Sequence, residues 1–192
     1  MISVDRRYGL AAVWLHWIIA ALILFQIGYA WWVYGPIPDH TAAQAQAFGV
    51  HTSVGLTILV LSLARLGVRF AAPPPPLPAD MAAWERTLAR LSHVLFYVLI
   101  IGIPLTGWAL ASMRPTPISF WGLFNWPHLP GLSGLAKPAR HAIGGPLGRT
   151  HTLILVWTTI GLLALHVAGA LKHQVSGSPV FWRMLPFLSR PK

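Results

Sequence analysis

The 192-residue chain is 55% apolar and only 9% charged, with ten Trp and a mean hydropathy of +0.61, whereas ordinary soluble domains carry about a quarter charged residues. This composition excludes a soluble globular protein and predicts an integral membrane one. The absence of cysteine excludes disulfides, iron–sulfur clusters and thioether-linked haem. The formal charge of +10 reads as cytoplasmic loops and contacts with membrane lipid, with no nucleic acid as partner.

In chain order, four apolar runs cover about residues 10–34, 48–70, 91–112 and 151–171. Each approaches or exceeds the roughly 20 residues that cross about 30 Å of hydrocarbon as a helix. None shows strand alternation, so the fold class is all-α: an integral membrane four-helix bundle forming one domain over residues 1–192. The first run follows Arg6 and Arg7 but is too long for the core of a signal peptide. It ends on Trp31, Trp32 and Tyr34, an interfacial aromatic belt. Pro73 to Pro76, extended to Pro78, form a stiff spacer or a simple helix stop. Residues 113–150 make a long outer loop rich in Pro, Gly and Trp, of the kind that is functional or structured by its own packing. The tail, residues 176–192, mixes Val180, Phe181, Trp182, Met184, Leu185 and Phe187 with basic residues and is expected at the cytoplasmic interface.

Lys and Arg fix the expected orientation. The N-terminus (Arg6, Arg7), the second loop with its flanks (Arg65, Arg69, Arg86, Arg90) and the tail (Lys172, Arg183, Arg190, Lys192) hold ten, whereas the other side has Arg114, Lys137, Arg140 and Arg149. Both termini are therefore placed in the cytoplasm, with the chain multi-pass in a bacterial inner membrane.

Histidine in such runs is costly and needs a partner. With this topology His16 and His166 lie at the cytoplasmic level and His51 and His151 at the periplasmic level. The fifteen residues from His151 to His166 span ~22 Å and leave both rings within ~60° of one another around the helix. A lone membrane histidine often serves as an interhelical donor, but four that pair at two depths fit two haem groups, each with two axial imidazoles. Without cysteine these would be b-type. A metal-only site lacks carboxylates, because Asp5, Asp39, Asp80 and Glu85 all fall outside the runs. Gly55, one turn below His51, reads either as room for a planar cofactor or as close helix packing. His93 begins the third run with no partner left at its level, His141 is a weaker ligand candidate, and His40 and His128 read as exposed loop residues. Pro104 and Gly107 mark an expected kink in a third helix that supplies no ligand.

An ordered set of short stretches spans nearly the whole chain: Arg7-Tyr8 ahead of Leu15-His16-Trp17; His51 to Leu56 with Arg65-Leu66 and Arg69; His93 with Tyr97, Pro104 and Gly107; Ala164 to His173; and Arg183 to Pro186. In this combination the chain resembles the bacterial cytochrome b561 family of di-haem, quinone-linked membrane proteins. The resemblance implies His16, His51, His151 and His166 as haem ligands in the pairs given above. It also implies that His173 is similar to a histidine contacting a ubiquinone head group, the other reading being a snorkelling interface residue. Arg65 and Arg69 stand at the depth where haem propionates would need counter-charges. Family members usually separate the two helix 4 ligands by fourteen residues, and a π-bulge would absorb the fifteenth. Some members pass electrons from superoxide to ubiquinone. The outer cations, Arg114, Lys137, Arg140 and Arg149, would either steer such an anion or contact lipid and a partner. The expected function is electron movement between a periplasmic donor, with superoxide as one candidate, and membrane quinone. The alternative is a non-catalytic cytochrome b anchor for a periplasmic redox protein.

Overall fold

The computed structural model describes residues 7–38, 41–77, 81–176 and 182–185. Helices α1 (Leu10–Tyr34), α2 (Ala42–Ala71) and α3 (Ala83–Ser112) are followed by a small antiparallel hairpin, β1 (Ile118–Phe120) and β2 (Phe124–Trp126). Then α4 (Lys137–Arg149) runs through a π-helical turn (Thr150–Leu155) into α5 (Val156–Val175), and Trp182–Met184 form one 3-10 turn. The last three of these α and π pieces make one 39-residue span, so four helices among the described residues are long and apolar enough to cross a membrane. This is a membrane four-helix bundle. The end where α1 begins and α5 finishes is called basal below, and the opposite one the hairpin end.

The helices outrun the apolar runs because polar and small residues extend them. Thr41 caps α2, its Oγ1 accepting from the Gln44 N–H at 3.2 Å, so α2 starts six residues before the apolar run, and α3 starts eight before it. The outer loop expected over 113–150 is largely ordered structure. Its second half is α4, which carries a proline in its first two positions, where the missing N–H costs nothing. The tail falls mostly outside the described residues. Within it, the Met184 carbonyl accepts from the Trp17 indole at 2.6 Å and Arg183 donates to the Pro76 carbonyl at 2.8 Å.

Packing explains which helix is central. Helix α2 buries Ser53, Val54, Leu56, Ile58, Leu59 and Ser62, while large apolar side chains such as Phe25, Val98, Leu105 and Leu165 face outward. An inside-out distribution of that kind suits a helix whose surroundings are hydrocarbon. The antiparallel register of α1 on α2 is fixed by polar contacts. Arg65 donates to the Ala12 carbonyl at 2.6 Å and Gln26 to the His51 carbonyl at 2.7 Å. The two contacts lie fourteen residues apart along both helices.

The hairpin is anchored by one hydroxyl. Ser53, 2% exposed, accepts from the Trp121 N–H at 3.0 Å and donates to the Ser119 carbonyl at 3.3 Å. Trp121 has φ +53° and Gly122 φ +73°, a left-handed pair that suits the twist of a tight hairpin turn but is costly for a bulky residue. Its indole donates to Thr57 at 3.1 Å. Ser53→Ala leaves two backbone groups unpaired in an apolar setting, and a loss of about 1–2 kcal/mol is expected in thermal unfolding.

Candidate functional site

The four histidines fall into two facing pairs. His16 of α1 and His166 of α5 have ring centroids 6.2 Å apart with planes at 67°, and His51 of α2 and His151 of the π turn are 6.3 Å apart at 72°. Two imidazoles bound on opposite sides of one iron, at about 2 Å metal–nitrogen distance, have centroids about 6 Å apart. Close packing joins α1 to α2, α2 to α3, and α3 to α5, whereas α5 makes few close backbone approaches to α1 or α2. The facing pairs therefore bridge the two wide gaps of the bundle. A planar macrocycle bound by either pair would have to lie there.

The ring of His151 is set by α3. Its Nδ1 lies 2.9 Å from Thr106 Oγ1, and that hydroxyl spends its own proton on the Ile103 carbonyl at 2.8 Å. The imidazole consequently donates from Nδ1 and leaves Nε2 unprotonated, the state a metal ligand requires. Gly107 lies directly beneath: a Cβ there would come within 3.1 Å of His151 Cε1. His51 is held from α1, with the Gln26 amide nitrogen 3.1 Å from its Nδ1 as well as on its carbonyl, and Phe48 stacks on its ring at 6.2 Å. Gln26 Oε1 is buried with no partner. At Gly55 a Cβ would stand 3.7 Å from Gln26 Nε2, in ordinary contact with a neighbouring helix. The π turn contains His151, where the family resemblance leads one to expect a bulge for the fifteen-residue spacing.

At the basal level the structure corrects the isolation expected for His93. Its centroid is 6.0 Å from that of His166, with planes at 86°, and its Nδ1 bonds to the Ala89 carbonyl of its own helix. Phe96 also packs edge-on against His166 at 5.2 Å. Helix α3, expected to be a bystander, touches both pairs and runs unbroken through Pro104. Nothing in its sequence spacing reveals Thr106 or Gly107 as supports of His151, because that role depends on how α3 is rotated against the π turn.

Arg65 and Arg69 line one basal crevice with Tyr8, Ala12, Pro74 and Tyr97. Arg69 stands over the Tyr97 ring at 5.6 Å. Burial raises the Tyr8 hydroxyl above the usual tyrosine value despite the lowering pull of Arg69, Arg183 and Arg65, so it remains a protonated donor facing that crevice. His173 is half-buried in the last turn of α5. Beside it, Lys172 pairs with Glu85 and lies over the Trp84 ring at 5.6 Å, tying the start of α3 to the end of α5. The remaining histidines separate: His141 is exposed on α4, His40 lies outside the described residues, and His128 is half-buried, its Nδ1 3.1 Å from the Ser112 carbonyl, rather than exposed.

The family described as prokaryotic cytochrome b561 matches residues 7–187. "Cytochrome b561 homolog 2" of Escherichia coli (strain K12) is 27% identical over 173 residues, covering 90% of this chain and 87% of that protein. "Cytochrome b561 homolog 1" of the same organism is 27% identical over 185 residues, 94% of this chain and 98% of the relative. The "Probable superoxide oxidase CybB" of Yersinia pestis is also 27% identical over 185 residues, covering 94% and 97% of the two chains. Two facing imidazole pairs, an Nε2 left unprotonated on His151 by Thr106, and a match over nearly the whole length agree, and the chain belongs to the prokaryotic cytochrome b561 family.

Proposed function

We propose that this membrane cytochrome holds two b-type haems and exchanges electrons between a donor on the periplasmic side, with superoxide as the leading candidate, and membrane quinone on the cytoplasmic side. The observation that carries the reading is the pair of facing imidazole sets, 6.2 and 6.3 Å between centroids, fifteen residues apart along the last span. Haem, when bound, supplies one-electron redox chemistry at each level. His16 and His166 hold the basal group and His51 and His151 the other, with Arg65 and Arg69 as counter-charges for basal propionates. His173, with the Glu85–Lys172 pair beside it, binds the ubiquinone head group. The basal end is cytoplasmic by its excess of Arg and Lys, and the bacterial inner membrane is the proposed location.

His93 stands as near His166 as His16 does, so the ligand choice rests on the gap. Helices α3 and α5 pack directly, whereas α1 and α5 stand apart. His93→Ala is expected to keep both haems with low-spin spectra, and His16→Ala to lose the basal one, as read by absorption and EPR. Thr106→Val keeps the side-chain shape but removes the acceptor at His151 Nδ1. A loss of about 10–100-fold in retention of the hairpin-end haem against an apo-globin trap is expected.

The functional test uses purified protein in lipid nanodiscs with a superoxide source and a soluble ubiquinone analogue. Haem reduction by superoxide alone, followed by quinone turnover, supports the oxidase reading. Reduction only after addition of a periplasmic redox protein assigns the chain to the electron-transfer anchors instead.

A further inference from the structure

We infer that residues 113–130 form a re-entrant element: the hairpin lies within the outer leaflet of the bilayer, at the level of the His51–His151 pair, with Leu123 and Phe124 in contact with lipid acyl chains. Depth comes first from register. With Gln26 opposite His51 and Ala12 opposite Arg65, Ser53 stands level with about Leu24, seven residues before Trp31 of the aromatic belt. Seven residues are about 10 Å of helix. Ser53 holds both the Trp121 N–H and the Ser119 carbonyl, so the turn sits that far below the belt, and the Trp121 indole reaches Thr57, one turn deeper.

Backbone chemistry agrees with that depth. Irregular chain survives in hydrocarbon only where protein satisfies its polar groups. Helix α3 ends at Ser112, fully buried, and the returning chain closes it: His128 Nδ1 is bonded to the Ser112 carbonyl at 3.1 Å, and the Leu129 N–H donates to Ser112 Oγ at 2.9 Å. The Trp108 indole donates to the Pro127 carbonyl at 2.8 Å. The strands pair with each other, and Ile118 packs on Leu56 and Ala111. On the far side Leu123 is 78% exposed and Phe124 51%, apolar tips left largely uncovered by the described residues.

Charge gives an independent indication. From Met113 to Ala136 the only charged residue is Arg114. Its guanidinium lies over the Phe48 ring at 4.0 Å, and Phe48 is five residues outward of Ser53 on α2, about 8 Å. A cation at the root of the hairpin thus reaches up toward the surface, as a snorkelling arginine does.

Because the chain contains no cysteine, single substitutions report depth without background. Nitroxide labels on Leu123→Cys and Phe124→Cys, with Val60→Cys on the outward face of α2 as lipid reference and Ser133→Cys as water reference, are compared by EPR power saturation in nanodiscs. Retention of the haem spectrum checks the fold. Labels at 123 and 124 are expected to match Val60 in favouring oxygen over the water-soluble nickel chelate, with chelate collision several-fold below that at Ser133. Chelate collision equal to that at Ser133, at either position, overturns the proposal and makes the hairpin a water-facing surface suited to a protein partner. Both Leu123 and Phe124 are exposed, so one label reports if the other variant fails to assemble.

Discussion

His151→Ala is expected to reduce the haem content from two per chain to one and to leave the remaining haem low-spin. His151 faces His51 across the gap between α2 and the last span. The His16–His166 pair, about 22 Å away along the helix, shares no residue with it. Haem per chain by pyridine haemochrome and the EPR signal of bis-imidazole iron read the two consequences separately. If His151→Ala retains both haems with unchanged low-spin signals, the hairpin-end pair is not a ligand pair. The reciprocal variant, His166→Ala, should remove the other signal and preserve this one.

Gly107→Val is the second variant with a large expected effect, and it replaces no proposed ligand. A single Cβ at this position would stand 3.1 Å from His151 Cε1, closer than ordinary van der Waals contact, with the ring nitrogens at 3.7 and 3.8 Å. Two further methyl carbons cannot be placed without turning the imidazole, and turning it breaks the 2.9 Å contact with Thr106. The ring is fixed on both sides, so the strain has no cheap outlet. The hairpin-end haem should be lost or become high-spin, with the basal haem unchanged, while Gly107→Ala should give a milder shift of the same spectrum. Equal loss of both haems in Gly107→Val would mean general misfolding and remove Gly107 from this role.

The depth of the histidines was legible because hydropathy fixes the spans and helical rise converts residue number into height. His16, His51, His151 and His166 could be sorted into levels without coordinates, and the odd fifteenth residue on the last span pointed to the π turn that contains His151. Rotation about each helix axis was not legible, since it is decided by packing among four helices. That is why His93 was expected to stand apart yet lies beside His166, and why Thr106 and Gly107 gave no signal as supports of His151. The elements inside the outer segment were not legible for another reason. Its hairpin depends on Ser53 and Thr57 of a distant helix, and α4 has a polar, glycine-rich sequence with Pro146 inside it. Local propensity alone reads that segment as loop.

The most direct test of the account is haem stoichiometry in the purified wild-type chain, measured by pyridine haemochrome against amino-acid analysis after expression with ample haem supply. Two b-type haems per chain are the predicted result, matching the two facing imidazole pairs. One haem, or none, would contradict it.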